Sequence, residues 1–178
     1  MNPSSPSRAA GPRWLDDAEQ CTWRKSLTAW QWLFAAVDGQ LQRDAGIPLA
    51  YYEILVRLSE APDRCLRMTQ LAEASSSSKS RLSHAVARLE ERGWVQRRDC
   101  PTDRRGQIAE LTGAGLAALR DAAPGHVEQV RRVLFDALTP EQVRQLAEIN
   151  DAILGAVSRS CAAEGYSGEE APEVPPAG

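Results

Sequence analysis

The sequence is poor in the residues that most often carry enzyme chemistry. It holds two histidines, His84 and His126, and four cysteines in 178 residues. Cys21, Cys65, Cys100 and Cys161 stand 44, 35 and 61 positions apart, with no CxxC pair, so the ligand spacing of a structural zinc site is missing. There is no Gly-rich phosphate loop, and neither histidine has a nucleophile pattern beside it. These absences argue against an enzyme and lead us to expect no metal and no cofactor. Sparse, scattered cysteines suit a reducing compartment. No apolar run approaches the ~18 residues that span a bilayer, and Met1 to Trp14 is Pro, Ser and Arg without the apolar stretch of a secretion signal. The cytoplasm is the expected location, with no membrane partner. Lysine is scarce too: of 21 basic residues all but Lys25 and Lys79 are Arg. Planar guanidinium forks suit phosphate and guanine, but a uniform Arg bias can equally reflect codon composition.

What is present is a chain 43% hydrophobic and 25% charged, able to bury a core and stay in solution, with no internal repeat. Its net charge of −3 argues at first against a nucleic-acid partner. The charge is unevenly placed, however. Residues 1–76 carry eight basic and nine acidic side chains, 77–106 eight and four, and 107–178 five and eleven. One basic window sits in an acidic protein.

Both ends read as tails, 1–13 rich in Pro, Ser and Ala and 162–178 rich in Gly, Pro and Glu. Between Leu15 and Asp44 there is no Pro, and Trp23, Leu27, Trp30, Phe34, Val37 and Leu41 recur at helical spacing, which predicts a long amphipathic helix ending near Gly46 and Pro48. Leu49 to Ser59 reads as a second helix. Thr69 is placed to cap a very short third, with Leu71, Ala72 and Ala74 as its apolar side. After the serine run 75–78, a fourth helix is expected with Ser78 as N-cap, Leu82, Ala85, Val86 and Leu89 as its buried stripe, and Gly93 as its stop. Two helices joined by a tight turn make a helix-turn-helix. Trp94 onward and Gln107 to Leu111 read as strands around a loop from Asp99 to Gly106, a hairpin wing with an arginine-rich tip. Two further helices follow. Pro124-Gly125 is expected to kink or break the first, and Thr139-Pro140-Glu141-Gln142 forms a capping box for the second, whose stripe is Val143, Leu146, Ile149, Ile153 and Val157.

The helix after Ser78 separates its chemistry by face. Lys79, Ser80, Arg81, Ser83, His84 and Arg88 are left outside the apolar stripe, where they either form an ordinary solvated face or meet base edges and phosphates in a major groove. Its N-terminus, at Ser78, favours a phosphate. Arg98, Asp103, Arg104 and Arg105 on the wing are either a charged turn or a probe of a narrow minor groove, with a carboxylate holding the guanidinium. A helix-turn-helix followed by an Arg-tipped hairpin favours the second reading of both.

These residues carry a family resemblance. Leu71-Ala72-Glu73-Ala74, Ser78 to Leu82, Arg88 to Gly93, and Asp103-Arg104-Arg105 leading to Leu111-Thr112 and Gly115 resemble the MarR family of bacterial winged-helix transcription regulators, over about Leu15 to Cys161. The Asp-x-Arg wing followed by Leu-Thr-x-x-Gly is the most specific part. Ser75, Ser76 and Ser77 stand where members often carry Leu. The resemblance implies a mainly α fold with a small β-hairpin wing: a winged helix-turn-helix over 47–112 and an intertwined helical dimerisation region over 14–46 and 113–161. It implies a homodimer that binds double-stranded DNA at a pseudo-palindromic operator, with Asp103 orienting and Arg105 entering the minor groove. The apolar stripes of the first and last helices, too long for one small winged domain to cover, agree with the dimer. The acidic C-terminal part should then point away from DNA.

Members of such a family respond to small phenolic or lipophilic molecules or to oxidants, so the resemblance implies a repressor released by a ligand. Trp30, Phe34, Tyr51 and Tyr52 are candidate pocket residues, although Trp30 and Phe34 lie on the helical stripe and fit a dimer core as well. Cys21, with Arg24 and Lys25 one turn further on, is the candidate for a thiol sensor, and Cys100 is expected to be exposed on the wing. A thiol-based oxidant sensor and a winged-helix protein-interaction module are the rival readings.

Overall fold

The structure, a computed structural model, describes residues 12–75, 78–100 and 103–163, and only the backbone at 103–105 and 161–163. Both expected tails lie almost entirely outside the described residues. Helix α1 runs from Asp17 to Ala45. A capping box absent from the sequence reading starts it: Asp16 Oδ1 accepts from the Glu19 N–H at 2.8 Å and Glu19 Oε2 accepts from the Asp16 N–H at 2.9 Å. Gly46 ends it at φ 66°, a left-handed conformation that costs glycine nothing. The Asp38 carboxylate then accepts from the Leu49 N–H at 2.7 Å, which fixes the first turn of α2, Leu49–Glu60, against α1.

A strand that the sequence reading missed comes next. Cys65–Arg67 forms β1 and pairs antiparallel with β3, Leu66 opposite Ala109. Three residues are too few to show a period of two, and only the pairing partner makes them a strand. Because β1 leads straight into α3, Met68–Ala74, the N-cap is Arg67, whose N–H donates to Gln70 Oε1 at 3.2 Å. Thr69, expected as the cap, lies inside the helix. Helix α4, Lys79–Glu91, begins as expected, with Ser78 Oγ accepting from the Arg81 N–H at 3.3 Å, and is followed by Gly93 at φ 71°.

Strands β2, Val95–Cys100, and β3, Asp103–Leu111, complete a sheet of order β1-β3-β2. The expected loop from Asp99 to Gly106 is mostly strand, since pairing continues out to Cys100 opposite Asp103 with an irregular register at Asp99/Cys100. Local turn preference yields here to the ladder, which satisfies the backbone groups of both strands. The break expected at Pro124 does not occur either. Helix α5 is continuous from Gly113 to Val133. Ala122 and Gln129 are buried on either side of the proline, so packing along α1 holds both halves in one helix. Gly125 permits the approach, as a Cβ there would lie 3.0 Å from Gln40 Nε2. Helix α6, Pro140–Ala163, starts with the expected box, Gln142 N–H to Thr139 Oγ1 at 3.2 Å and Thr139 N–H to Gln142 Oε1 at 2.9 Å.

The core sits under the helix-turn-helix. Leu41, Ile47, Leu55, Leu58, Leu71, Leu82, Val86 and Leu89 are fully buried, joined by Val95, Ala109 and Leu111 from the sheet and Leu119 from α5. Each buried Leu, Ile or Val contributes about 1.5–3 kcal/mol by leaving water. Helix α6 is the opposite case: none of its residues from Pro140 to Ser160 is buried.

Candidate nucleic-acid interface

The buried stripe Leu82, Ala85, Val86 and Leu89 fixes how α4 is rolled on the core. Ser78, Lys79, Ser80, Arg81 and His84 are consequently exposed, and Ser83 is half-buried at the edge of the face. The six side chains from Ser78 to His84 thus gather around the first turns of the helix, where backbone N–H groups point outward and the dipole is positive. Arg88 is exposed but belongs to the far end. Its Nη1 meets Glu91 Oε2 at 2.8 Å, and it borders a polar groove with Gln42, Pro48, Tyr51 and Arg92. The Glu91 hydrogen bond and charge raise the Arg88 pKa above its ordinary value.

On the wing, the residues expected to act together are differently placed. Arg98 turns back onto β3 and meets Glu110 Oε2 at 2.6 Å, an oxygen that also accepts from Gln96 Nε2 at 3.0 Å. Its guanidinium is thereby engaged within the sheet. Asp103, Arg104 and Arg105 stand at the start of β3 rather than in a loop, and their side chains lie outside the described residues. Cys100, expected to be exposed, is buried at the end of β2, where the register with β3 shifts between Asp99 and Cys100 and breaks the simple alternation of the strand.

The residues that hold the wing to the rest were mostly not singled out in advance. Glu90, near the end of α4, accepts from the Arg97 backbone N–H at 2.8 Å through Oε1 and from Arg97 Nε at 2.6 Å through Oε2. The Leu-Thr-x-x-Gly segment is explained by the junction it builds. Leu111 is buried, Thr112 Oγ1 donates to the Gly93 carbonyl at 2.7 Å and accepts from the Gly115 N–H at 3.0 Å, and α5 begins there. A Cβ on Gly115 would lie 2.1 Å from the Trp94 carbonyl oxygen, so only glycine lets α5 pass this close to the end of α4. Arg92 closes the other side, donating to the Gly46 carbonyl at 2.9 Å with its guanidinium 5.0 Å from the Trp94 ring centroid. Ser75 marks the departure noted in the turn: its Oγ is buried with no hydrogen-bond partner.

The four aromatic pocket candidates do not share one cavity. Phe34 and Tyr52 line a groove of about 440 Å³ between α1, α2 and α5, together with Val37, Val56, Arg57, His126 and Val130. Trp30 borders a different, apolar groove of about 600 Å³ with Trp32, Leu33, Val133 and Leu146, while Tyr51 faces the polar groove beside Arg88. In the first groove the Tyr52 and His126 rings meet with centroids 4.4 Å apart. Burial pushes the Tyr52 pKa up and the His126 pKa down. Arg57 Nε and His126 Nδ1 are both buried there with no hydrogen-bond partner. Cys21 is exposed on α1. Among the described residues no group of three or more His, Cys, Asp or Glu is placed to hold a metal, and no helix is long and apolar enough to cross a membrane.

Comparison with known proteins places this geometry. Residues 45–106, from the end of α1 to the wing, match the model of the MarR family. A MarR family transcriptional regulator from Streptomyces coelicolor, solved in complex with DNA, is 55% identical, with 80% of this chain and 89% of that one covered at a TM-score of 0.77. AbsC, another MarR family transcriptional regulator from Streptomyces coelicolor, is 42% identical over 83% of this chain and 99% of its own, also at 0.77. The transcriptional repressor MprA of Escherichia coli is 28% identical over 109 residues, and the match spans 61% of the length of each chain. These relatives are transcriptional regulators and not enzymes. The winged helix-turn-helix, the three-stranded sheet and the identity over nearly the whole described length agree, and this chain belongs to the MarR family of transcriptional regulators.

Proposed function

We propose that the protein is a cytoplasmic, sequence-specific double-stranded DNA-binding repressor that acts as a homodimer on a pseudo-palindromic operator. The observation that carries this reading is the cluster Ser78 to His84, exposed at the N-terminal end of a helix whose other face is locked into the core, beside an Arg-bearing wing. Arg81 and Lys79 suit base edges and phosphates in a major groove, and Asp103 and Arg105 suit the adjacent minor groove. Arg88 and Arg98, engaged by Glu91 and Glu110, are assigned backbone contacts at most. The open apolar faces of α1 and α6 support twofold pairing, which would set two α4 helices a whole number of DNA turns apart.

DNA binding to a fragment flanking the protein's own gene, followed by salt titration, tests the reading. Affinity should fall steeply with salt, Arg81→Ala should cost about 1–3 kcal/mol at the base it reads, and Arg105→Ala should weaken binding and lower the salt slope. No binding to such fragments, or binding indifferent to salt, would remove the basis for it.

Release by a small lipophilic or phenolic ligand is part of the same proposal. The Phe34–Tyr52 groove supports it with two unpartnered polar atoms, Arg57 Nε and His126 Nδ1, beside the apolar side chains of Leu33, Phe34, Val37 and Val56, with Glu53 and Glu60 also on its lining. A phenol panel scored for DNA release by the parent and by Arg57→Leu would check this, with equal release from both counting against the groove. The exposed thiol of Cys21 favours one alternative signal, oxidation. In that case Cys21→Ser should abolish peroxide-induced release.

A further inference from the structure

We propose that the Glu90–Arg97 pair is a positioning brace that sets the angle between α4 and the wing, and so decides whether both can engage one duplex at once; the inference rests on the DNA-binding reading above. The two residues sit on the two elements that would enter the two grooves. Glu90 is on the last turn of α4 and Arg97 is the third residue of β2. Both oxygens of one carboxylate are used: Oε1 takes the Arg97 backbone N–H at 2.8 Å, and Oε2 takes Nε at 2.6 Å and Nη2 at 2.5 Å. A backbone bond fixes where β2 leaves the helix, and the guanidinium fork fixes its rotation. One point contact would do neither.

The pair is also sheltered, each side chain being 27% exposed, whereas Arg88–Glu91 and Arg98–Glu110 leave their arginines more than half exposed. A sheltered pair resists screening by the salt that surrounds DNA. Alternation along β2 separates the two neighbouring arginines by role. Arg97 turns toward α4 while Arg98 turns to Glu110 on β3, so one ties the wing to the helix and the other ties the wing to itself. The cationic Arg97 also lies at the C-terminal, negative end of α4. Helix and wing then behave as two linked binding elements. Their joint affinity depends on the geometry of the link, and a loosened link lets one contact form without the other.

The test uses the full chain, a palindromic duplex enriched by the parent protein from random sequence, and the variants Arg97→Met, Arg97→Lys, Glu90→Gln and the charge swap Glu90→Arg/Arg97→Glu. Binding, hydroxyl-radical footprints and thermal unfolding are measured on each. Arg97→Met and Arg97→Lys should bind about tenfold more weakly, losing protection at the flanks reached by the wing while central protection persists, with unfolding temperature shifted little. The charge swap should recover part of the flank protection. Unaltered affinity and footprint would overturn the brace while leaving DNA binding intact. A loss uniform across the footprint and proportional to unfolded protein would overturn it too, by reducing the pair to a fold contact. Failure of the parent chain to enrich any duplex would overturn the DNA-binding reading and the brace with it.

Discussion

The two ends of α1 belong to different kinds of structure. Its C-terminal half is finished: Val37 and Leu41 are buried against α2, and the helix-turn-helix packs below them around side chains with no exposure left. Its N-terminal half, like α6, is unfinished, with Trp23 57%, Leu27 43% and Ile153 54% exposed. The same amphipathic pattern runs through both halves. What differs is whether this chain supplies the covering surface. The winged half is a closed core that presents chemistry outward, and the helical half presents apolar surface that needs a second surface to leave water.

Substitutions in either half test the contrast. The largest effect is expected from Ile153→Asp on α6: in a dimer it places uncompensated carboxylates in an apolar seam at about 3–5 kcal/mol, and sedimentation should show monomer with helix content near that of the parent. An unchanged dimer would mean that the α6 stripe is not the interface. Leu55→Ala, in the closed half, should lower stability by about 2–5 kcal/mol in denaturant unfolding without changing the oligomeric state, as the vacated space is enclosed on all sides. A cost below about 1 kcal/mol would mean that this core relaxes freely.

The smallest effect is electrostatic and sits where the halves meet. His126 on α5 packs against Tyr52 on α2, with Glu53, Arg57 and Glu60 lining the same groove, and burial holds its folded pKa below the ordinary 6.5. The unfolded chain then binds the proton first as pH falls. Stability should therefore be intact above about pH 6.5 and decline below it until the folded histidine also titrates. His126→Phe should flatten that decline in thermal unfolding followed from pH 7.5 to 5. A parent chain with no decline would show that the site gains no net penalty from burial.

How much was legible follows from how local each feature is. The α4 stripe, the Ser78 cap, Gly46, Gly93 and the Thr139 box were readable because each is built from neighbours about one turn apart, and the fold class followed from the family resemblance that the motifs carry. Features set by distant partners were not. Strand β1 exists through residues about forty positions later in β3, Pro124 is carried through by packing on α1, and Thr69 lost its capping position to the strand before it. The exposed cluster from Ser78 to His84 was legible, as burial of a periodic stripe dictates what remains outside. The engagement of Arg98 by Glu110 and of Arg97 by Glu90 was not, because a formal charge count does not tell a paired guanidinium from an open one.

Helical periodicity, the Ser78 and Thr139 caps, the Gly46 and Gly93 stops, the concentration of positive charge in residues 77–106 and a signature specific enough to resemble one family are all written in the order of the residues. The tertiary structure alone decided which cations are spent on internal carboxylates, that Cys100 is buried, that the candidate aromatics divide among three grooves, and which stretches of a uniform apolar pattern are covered. Periodicity and capping are properties of a few neighbouring residues, so they survive in one dimension. Pairing and burial depend on what arrives from elsewhere in the chain, and that is settled only when the elements pack.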